Sequence, residues 1–375
     1  MPIHLKKIAV VVPRYGLVGG GERFVFELTE RLAHIPSYEI HVFANKWRSR
    51  SDRITFHKIP IITFPKWMTS ISFAYFANRK IAQMDFDLIH SHDRVFNSNV
   101  VTLHSIPHRT WVREIRKKRR LSLFDYGTSW TEKKMYTCSS CQMFLPVSNL
   151  VKRKVMERFH IDERKIRVIH PGVDVVRFKS AGPHSRQGAR NAFGISESDF
   201  LILFVGMNFE VKGLDSLLSA VALLKSEYGI EQVKVLVVGK GNKKKYKALA
   251  HKLGIGGQLI FSGVRKDIEK IYQAGDILVL LSKFDTFGMV VTEAMATSLP
   301  VIISDNVGAK DLVTQGENGF VVDREDIKMI SYRIKLMLNK KKRLEMGKKA
   351  NRTALENTWE KMALKVSNVY QELLV

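Results

Sequence analysis

The stretch FDTFGMVVTEAMATSLPVIISDN, residues 284–306, combines a loop, a helix start and a buried strand. Two carboxylates, Asp285 and Glu293, stand 293 − 285 = 8 positions apart around Gly288. The apolar positions of the predicted helix fall on one face: Val290, Val291, Ala294 and Met295. The run VIIS at 301–304 is apolar at nearly every position, which is typical of a strand covered on both sides. The stretch therefore predicts a loop, a helix and a parallel strand in succession.

Short apolar, β-branched runs recur along the chain with helical patterns between them. They predict strands at 8–13, 39–44, 54–60, 88–92, 100–105, 143–148 and 166–170, and then at 201–206, 233–239, 259–263, 277–282, 301–304 and 319–322. This alternation predicts an α/β fold with two doubly wound parallel sheets of the Rossmann type. Ligands of such sheets bind at the carboxyl ends of strands, so we expect the site in a cleft between two facing sheets.

The chain has 375 residues, which suggests two domains. The stretch SAGPHSRQGARN, at 180–191, is rich in Gly, Pro and Ser and is the predicted linker. We therefore predict two α/β domains, at 1–178 and at 179–356. The amphipathic stretch 357–375 is predicted to pack back on the first domain.

The composition is strongly basic, with 61 Lys+Arg against 36 Asp+Glu and a formal charge of +25. Such an excess indicates an anionic partner, which is a nucleic acid, an anionic membrane face or a phosphorylated substrate. Two cysteines form no disulfide framework, so a reducing compartment is expected. No apolar run approaches the ~18–20 residues of a spanning helix, and the N-terminal run is too short for a signal peptide. The protein is expected to be soluble or peripheral on a membrane.

Two further glycine motifs have the form of phosphate-binding loops. In GLVGGGERF, at 16–24, the glycines either bring backbone amides close to a ligand or form a tight turn. In FVGMNFEVKG, at 204–213, a strand ends at Gly206, and Lys212 either reaches a phosphate or is a solvated loop lysine.

The opening stretch supplies a third candidate. Free amides at Gly288, Met289 and Val290 would bind a phosphate at the helix start. Flanking carboxylates at Asp285 and Glu293 suit hydroxyl groups better than a second phosphate, so the combination fits a nucleotide-sugar. The alternative makes Asp285 a helix cap and Glu293 a surface residue.

These motifs together resemble the retaining glycosyltransferases of the GT-B fold, family four. The resemblance is carried by GGGERF near the start, by residues 147–178, by FVGMNFEVKG, by FSGVRKDIEKIYQAGDILVLLS at 261–282, by the acid-x7-Glu pattern of the opening stretch and by GENGFVV after it. It covers nearly the whole chain, and the combination is more specific than any part. Within the family the chain is most similar to glucosyltransferases of the lipopolysaccharide core.

The resemblance implies that the domain at 1–178 binds the acceptor and that the domain at 179–356 binds the nucleotide-sugar. It also implies a role for each matched residue. Glu293 would bind the donor ribose and Asp285 the donor hexose. Lys212 and the amides of 288–290 would bind the diphosphate. The rest of the donor site would be lined by Gly20, Gly21, Gly206 and Val264. His104 would lie beside the reacting sugar; its alternative is a hydrogen-bonded core histidine.

The chain departs from the family at several positions. The first acid is usually Glu and here is Asp285, which is one methylene shorter and leaves the donor hexose open. Met207 and Val211 stand where an arginine beside the lysine is usual, so Arg14, Arg23 or Arg265 would have to replace it. Ser298 replaces a usual glycine, which we expect to change only a helix end.

The resemblance also implies the chemistry. The acceptor hydroxyl would attack the donor sugar from the face that the nucleoside diphosphate leaves, with retention and with no obligatory metal. The expected reaction moves a hexose, from UDP-hexose, to a lipopolysaccharide-core or other lipid-linked acceptor on the cytoplasmic face of the inner membrane. Another GT-B enzyme that makes a soluble glycoside is an alternative, and a phosphorylase or epimerase would need a different set of catalytic acids.

The excess charge is concentrated in 109–134, which holds nine Lys+Arg and three Asp+Glu. Apolar residues interleave with them, including Trp111, Val112, Ile115, Leu123, Phe124, Tyr126 and Trp130. Basic clusters with Trp and Phe suit an anionic membrane surface, so membrane docking is predicted, with a solvated or acceptor-contacting face as the alternative. The basic cluster 339–352 lacks aromatic residues and is interpreted as a solvated helix face.

Three other features have competing interpretations. His90, His92 and Asp93 could bind a metal, but active-site lining or a core edge is the favoured interpretation. Cys138 and Cys141 could form half of a zinc site or a redox pair, although no second pair exists. A non-catalytic nucleic-acid-binding protein would explain the charge, but the chain has none of the recognition signatures of such proteins, and no specific nucleic-acid partner is predicted.

Overall fold

The computed structural model describes residues 5–16, 19–49 and 51–374. The chain divides into two compact units, Met1–Gly172 with Trp359–Val375, and Val173–Thr358. The first unit contains, in chain order, β1 Lys6–Val11, β2 Arg14–Tyr15, α1 Gly20–Leu32, β3 Tyr38–Ala44, β4 Lys46–Trp47, β5 Ile54–Lys58, α2 Met68–Ile81, β6 Leu88–Ser91, β7 Val100–Leu103, α3 His108–Thr110, α4 Leu123–Tyr136, β8 Met143–Pro146 and α5 Asn149–Phe159. A π-helical turn, Trp111–Ile115, follows α3.

The second unit contains α6 Pro183–Asn191, β9 Phe200–Met207, α7 Leu214–Tyr228, β10 Val233–Lys240, α8 Lys243–Lys252, β11 Leu259–Gly263, α9 Ile268–Ala274, β12 Ile277–Leu280, α10 Met289–Ala296, β13 Val301–Ser304, β14 Gly319–Val322, α11 Ile327–Met337 and α12 Lys340–Leu355. The chain then returns to the first unit through α13, Trp359–Leu373. In the described residues, three short 3-10 helices lie between the elements of the two units, at Glu163–Lys165, Gly256–Gln258 and Gly308–Leu312.

Each unit is built on a six-stranded parallel sheet. The strand orders are β5-β3-β1-β6-β7-β8 and β11-β10-β9-β12-β13-β14. The central strands β1 and β9 are buried along most of their length because helices cover both faces. The predicted fold class, two doubly wound parallel sheets, is confirmed. In each sheet the order reverses beside the first strand, between β1 and β6 and between β9 and β12, and such switch points bind ligands.

One predicted strand, 166–170, is wrong. Ile166 makes only an isolated bridge to Phe144, and the amides of Arg167 and Ile169 donate to the carbonyls of Phe144 and Pro146. Pro146 has no N–H to return a hydrogen bond, so this segment follows β8 without becoming a strand of the sheet.

The predicted linker is also wrong, because residues 183–191 form helix α6. Arg190 of this helix is buried and its guanidinium pairs with Asp276 at 3.3 Å, where Arg186 (2.8 Å) and Arg343 (3.2 Å) converge too. Three guanidinium groups on one buried carboxylate fix α6 to the second unit. The boundary between the units lies at Gly172/Val173, six residues before the predicted one.

Helix α13 packs on α1 in the first unit. Trp359 is fully buried and meets the Phe24 ring edge-on at 6.3 Å, while Arg31 pairs with Glu360 at 2.7 Å. Among the residues that the structure describes, no helix is both long and apolar enough to cross a bilayer.

Candidate active site

The loops after β9 and β12 bring Lys212 and Asp285 together at the switch point of the second sheet. The Lys212 Nζ donates to Asp285 Oδ2 in a partly buried ion pair, with 21% and 15% of the two side chains exposed. The two residues are 73 positions apart in the chain, and only the adjacency of β9 and β12 joins them. An ion pair at such an edge places one cation and one acceptor where a phosphorylated ligand of the sheet would bind.

The two glycines of FVGMNFEVKG are required by close approaches. A Cβ atom on Gly206 would lie 2.9 Å from the Lys212 Cγ, so the lysine stem lies directly across this glycine. Gly213 has a φ of +77°, and a Cβ there would lie 1.9 Å from the Leu281 carbonyl oxygen. Because neither glycine carries a Cβ, the Lys212 stem can cross Gly206 and the backbone can pass close to Leu281, and the side chain reaches Asp285.

Helix α10 begins after Gly288, which has a φ of +88°. Among the described residues, no side chain caps this helix, so the interpretation of Asp285 as a cap is wrong. The Asp285 backbone is held instead by the β13 loop: its amide donates to Asn306, and its carbonyl accepts from Gly308, both at 2.9 Å. The first amides of α10, at Met289 and Val290, therefore lie beside the Lys212–Asp285 pair at a helix start suited to an anion.

Glu293 is buried, with 8% of its surface exposed, so its interpretation as a surface residue is wrong. Its Oε2 accepts a hydrogen bond from the hydroxyl of Tyr272 at 2.9 Å. Tyr272, in α9, is fully buried and was not predicted as a site residue. The sequence pattern could not indicate this contact, because Tyr272 is 21 positions before Glu293 and the two residues meet only when α9 packs beside α10.

Another predicted donor-site residue of the second unit, Val264, lies apart from Lys212, Asp285 and Glu293. Val264 follows β11 at the same sheet edge but two strands from β9, and it is 65% exposed. Arg265 pairs with Asp267 at 2.8 Å. Ser298 ends α10 with a φ of +61°, a conformation that glycine adopts without strain.

In the first unit, Gly20 and Gly21 open helix α1 after β1. A Cβ on Gly21 would lie 3.4 Å from the His104 Cγ, so the ring of His104 covers this helix start. His104 follows β7, and its Nε2 lies 3.1 Å from Nδ1 of His92. Part of the predicted glycine loop, Leu17 and Val18, lies outside the described residues.

Burial governs the charge of these histidines. It lowers the pKa of His104 to about 4 and the pKa of His90 to about 3, and it holds the pKa of His92 well below 6.5. All three are therefore neutral at neutral pH, when a neutral imidazole both donates and accepts.

The predicted alternatives for metal binding lack support in the described residues. No group of three or more His, Cys, Asp or Glu suited to a metal occurs among 5–16, 19–49 and 51–374. Cys141 is buried and its pKa is raised to about 12 by burial, so its thiol is protonated. One Asp-x-Asp sequence exists, Asp85 to Asp87, but it precedes β6, and Asp87 accepts from the Lys7 amide at 2.8 Å at the opposite edge from His104.

The basic segment 109–134 forms α3, the π-helical turn and most of α4. Helix α4 starts with a capping box in which Ser122 and Asp125 bond reciprocally. Its outer face exposes Leu123 (73%), Tyr126 (52%) and Trp130 (47%), whereas Val112 is a fully buried core residue and does not belong to this surface. In the other basic cluster, Arg343 of α12 turns inward to Asp276, while most lysines of that helix are exposed.

Helix α2 and the turn before it extend this surface. Phe64 (86% exposed), Trp67 (38%) and Tyr75 (51%) lie on the segment that packs beside α4. A cavity of about 900 Å³ opens beside α4. Its lining includes Trp67, Ile71, Arg109, Leu123, Tyr126, Trp130 and Arg158. The cations of Arg109 and Lys134 lie over the rings of Tyr126 and Trp130, at 5.8 and 5.9 Å.

Comparison with known families and proteins gives concordant results for both units. The family described as Glycosyl transferases group 1 matches residues 185–353, and Glycosyltransferase Family 4 matches residues 18–177. EpsD of Bacillus subtilis (strain 168), to which glycosyltransferase activity is attributed, is 28% identical over 64% of this chain, and the match spans 62% of its own length. The D-inositol 3-phosphate glycosyltransferase of Corynebacterium urealyticum is 27% identical over 77% of this chain and 72% of its own.

Solved structures share the fold at lower identity. WaaG, a glycosyltransferase involved in lipopolysaccharide biosynthesis, is 19% identical with a TM-score of 0.79 over 97% of this chain and 99% of its own. HepE of Anabaena, solved in complex with UDP-glucose, is 16% identical with a TM-score of 0.73 over 98% of this chain and 99% of its own. Both carry the two-sheet architecture described above.

Proposed function

Because the chain is a glycosyltransferase of the GT-B fold, we propose that it transfers a hexose from a UDP-sugar to a phosphorylated, lipid-linked glycan with retention of anomeric configuration. The observation that carries the proposal is the Lys212–Asp285 pair beside the start of α10. This arrangement offers one cation and a helix start to a diphosphate, and carboxylates to sugar hydroxyls. HepE, which shares the fold, binds UDP-glucose.

In the proposed reaction the acceptor oxygen forms a bond to the anomeric carbon as the bond from that carbon to the β-phosphate oxygen breaks. The acceptor proton passes to the departing phosphate on the same face of the sugar, so configuration is retained. Lys212 and the α10 amides stabilise the charge that develops on the diphosphate. Asp285 and Glu293 orient the hexose and the ribose, with His104 beside the transferred sugar, and no metal ion is obligatory in this scheme.

A thermal-shift screen of nucleotide-sugars tests the donor assignment directly. With EDTA present, we expect one UDP-hexose at 100 times its Kd to stabilise the folded state by about 2.7 kcal/mol, while ADP- and GDP-sugars at the same concentration shift Tm little. The anomer of the product, determined by NMR, then tests retention. Equal shifts with all nucleotides would refute the UDP assignment, and an inverted product would refute the mechanism.

The acceptor part of the proposal rests on the exposed α2–α4 surface. On this surface the rings of Tyr126 and Trp130 each have a cation above them and lie next to an apolar cavity. The rings favour a bilayer interface because they are amphipathic, and the cations favour anionic lipid. Docking through this surface would hold the enzyme on the cytoplasmic face of the membrane, next to a lipid-linked acceptor. A net charge of +25 strengthens attraction to that face.

Vesicle co-sedimentation tests the docking surface. Replacing Tyr126 and Trp130 with serine is expected to reduce binding to vesicles with about 30% anionic lipid by tenfold or more, because two interfacial rings are lost. The matched control is Tyr228→Ser with Tyr332→Ser, since these rings are 38% and 45% exposed and also lie beneath cations. Equal binding by the two double variants would show that net charge alone attracts the protein to lipid.

A second acceptor class is favoured by the relatives named D-inositol 3-phosphate glycosyltransferase. A small phosphorylated cyclitol would leave the donor chemistry unchanged and would explain the basic character without a membrane. Transfer to inositol 3-phosphate at a rate independent of vesicles would favour this class, whereas transfer that requires a glycolipid in anionic vesicles would favour the first.

A further inference from the structure

Three histidine rings form a continuous stack at the switch point of the first sheet. His90 and His92 lie at the end of β6, and His104 follows the neighbouring strand β7. The His90 and His92 rings are 4.1 Å apart, and those of His92 and His104 are 5.4 Å apart with planes inclined by 24°. Phe24 packs against both His92 and His104, with centroids at 6.0 and 5.0 Å, so the rings have little freedom to rotate.

His90 is fully occupied as a core residue. Its Nδ1 bonds to the Tyr370 hydroxyl at 2.6 Å, and its Nε2 bonds to the Thr102 hydroxyl at 2.8 Å. It therefore has no ring nitrogen left for His92. The single hydrogen bond of the His92 ring to a described residue is the one to Nε2 of His104.

Counting protons restricts the state of the His92–His104 pair. Burial keeps both rings neutral, so each carries one N–H. A hydrogen bond between Nδ1 of His92 and Nε2 of His104 needs one proton between them. If His92 supplies it, His104 must carry its own proton on Nδ1; if His104 supplies it, its Nδ1 is bare.

The surroundings of His92 favour the first state. Its Nε2 is buried and has no hydrogen-bond partner among the described residues. The carboxylate of Glu132, which lines the same cavity as His92, is engaged. Its Oε1 accepts from Arg94 at 3.0 Å and its Oε2 accepts from the His108 amide at 2.8 Å. An unpaired buried N–H is rarer in proteins than an unpaired acceptor, so the proton of His92 belongs on Nδ1.

We propose that His92 is a positioning residue that donates from Nδ1 to Nε2 of His104 and so fixes His104 as an Nδ1–H donor. This inference rests on the proposed function, in which His104 lies beside the transferred sugar. A donor held in one tautomer can bind an oxygen of the donor substrate without reorganisation during the reaction. His104 in this state cannot accept a proton at Nδ1, which assigns it to hydrogen bonding rather than to general base catalysis.

Two substitutions separate the hydrogen bond from the packing. His92→Phe keeps a ring in the stack but removes the donor, whereas His92→Asn keeps an amide donor near the place of Nδ1. We expect His92→Phe to lower kcat about 30-fold with the donor KM within about twofold of the wild type. We expect His92→Asn to recover kcat to within about threefold. His90→Phe is the control for packing, because it disturbs the stack without touching the proton between His92 and His104.

The tautomer itself is measured by ¹⁵N NMR of labelled histidine in the free protein. We expect His104 to be protonated at Nδ1 in the wild type and in His90→Phe, and to gain the Nε2–H form in His92→Phe. Equal loss of kcat in His92→Phe and His92→Asn, full activity of His92→Phe, or a His104 spectrum that does not respond to His92→Phe would each overturn the inference. A wild type that transfers no sugar would refute the proposed function instead, while the spectrum would still test the hydrogen bond.

Discussion

Lys212→Ala is expected to lower kcat about 10³-fold and to leave Tm almost unchanged. The Lys212 ammonium lies beside the start of α10. In the proposed reaction, the diphosphate gains negative charge as its bond to the sugar breaks. Removal of one such electrostatic contact typically costs 10²–10³ in kcat. Because the side chain is partly exposed and its pairing with Asp285 is a local contact, folding should depend on it only weakly.

Lys283→Ala is the matched control for this prediction. Lys283 lies two residues before Asp285 in the same loop, but its Nζ pairs with Glu210 at 3.3 Å and both side chains are well exposed. Its loss should leave kcat within about twofold, since surface pairs contribute little. Comparable losses in the two variants would mean that the general positive charge of the loop, and not the position of the Lys212 Nζ, supports the reaction.

Lys212→Arg adds a sharper readout. The guanidinium keeps the charge but is planar and larger, and the stem must still cross Gly206, where an added Cβ would lie within 2.9 Å of the lysine. We expect partial activity, between those of the wild type and Lys212→Ala.

The strands, and the glycine-marked loops that bring Lys212 to Asp285, could be predicted because they depend on local patterns. Continuous apolar runs such as Ile8–Val11 and Leu201–Val205 have one stable placement, a buried parallel strand. The glycines at 206, 213 and 288 mark backbone positions that other residues fill only with strain, and each borders the Lys212–Asp285 pair. Residues 166–170 are apolar at 166, 168 and 169 and were also predicted as a strand. The segment does not form one because Pro146 of its neighbour β8 has no N–H to contribute to the pairing.

What could not be predicted depends on contacts between distant segments. Arg190 lies in a Gly/Pro/Ser-rich stretch typical of a linker, and only its pairing with Asp276, 86 positions away, makes that stretch a packed helix. The link between His90 and Tyr370 spans 280 positions. A sequence pattern records which residues are apolar or flexible, but the partner of a buried polar group is fixed only when the elements pack.

Glu293→Ala is expected to lower kcat/KM for the donor about 10²-fold, mainly through a higher KM. A buried carboxylate that accepts from two ribose hydroxyls contributes about 1.5–3 kcal/mol for each hydrogen bond, and it binds the substrate before and during the reaction alike. The variant should also lose about 1–3 kcal/mol of folding free energy, because the buried Tyr272 hydroxyl loses its acceptor. Tyr272→Phe separates the two effects.

Tyr272→Phe removes the hydroxyl but leaves the carboxylate in place. If Glu293 acts by binding the ribose, this variant should keep the donor KM within about fivefold, since only the orientation of the carboxylate is loosened. The donor KM of Glu293→Gln should lie between those of Tyr272→Phe and Glu293→Ala, because the amide retains one acceptor oxygen but has lost the charge. If instead Tyr272→Phe raised KM as much as Glu293→Ala, the pair would act as a packing unit, and the donor ribose would have to be bound elsewhere. Isothermal titration with UDP alone gives this comparison without the sugar, so a failure at Asp285 cannot imitate it.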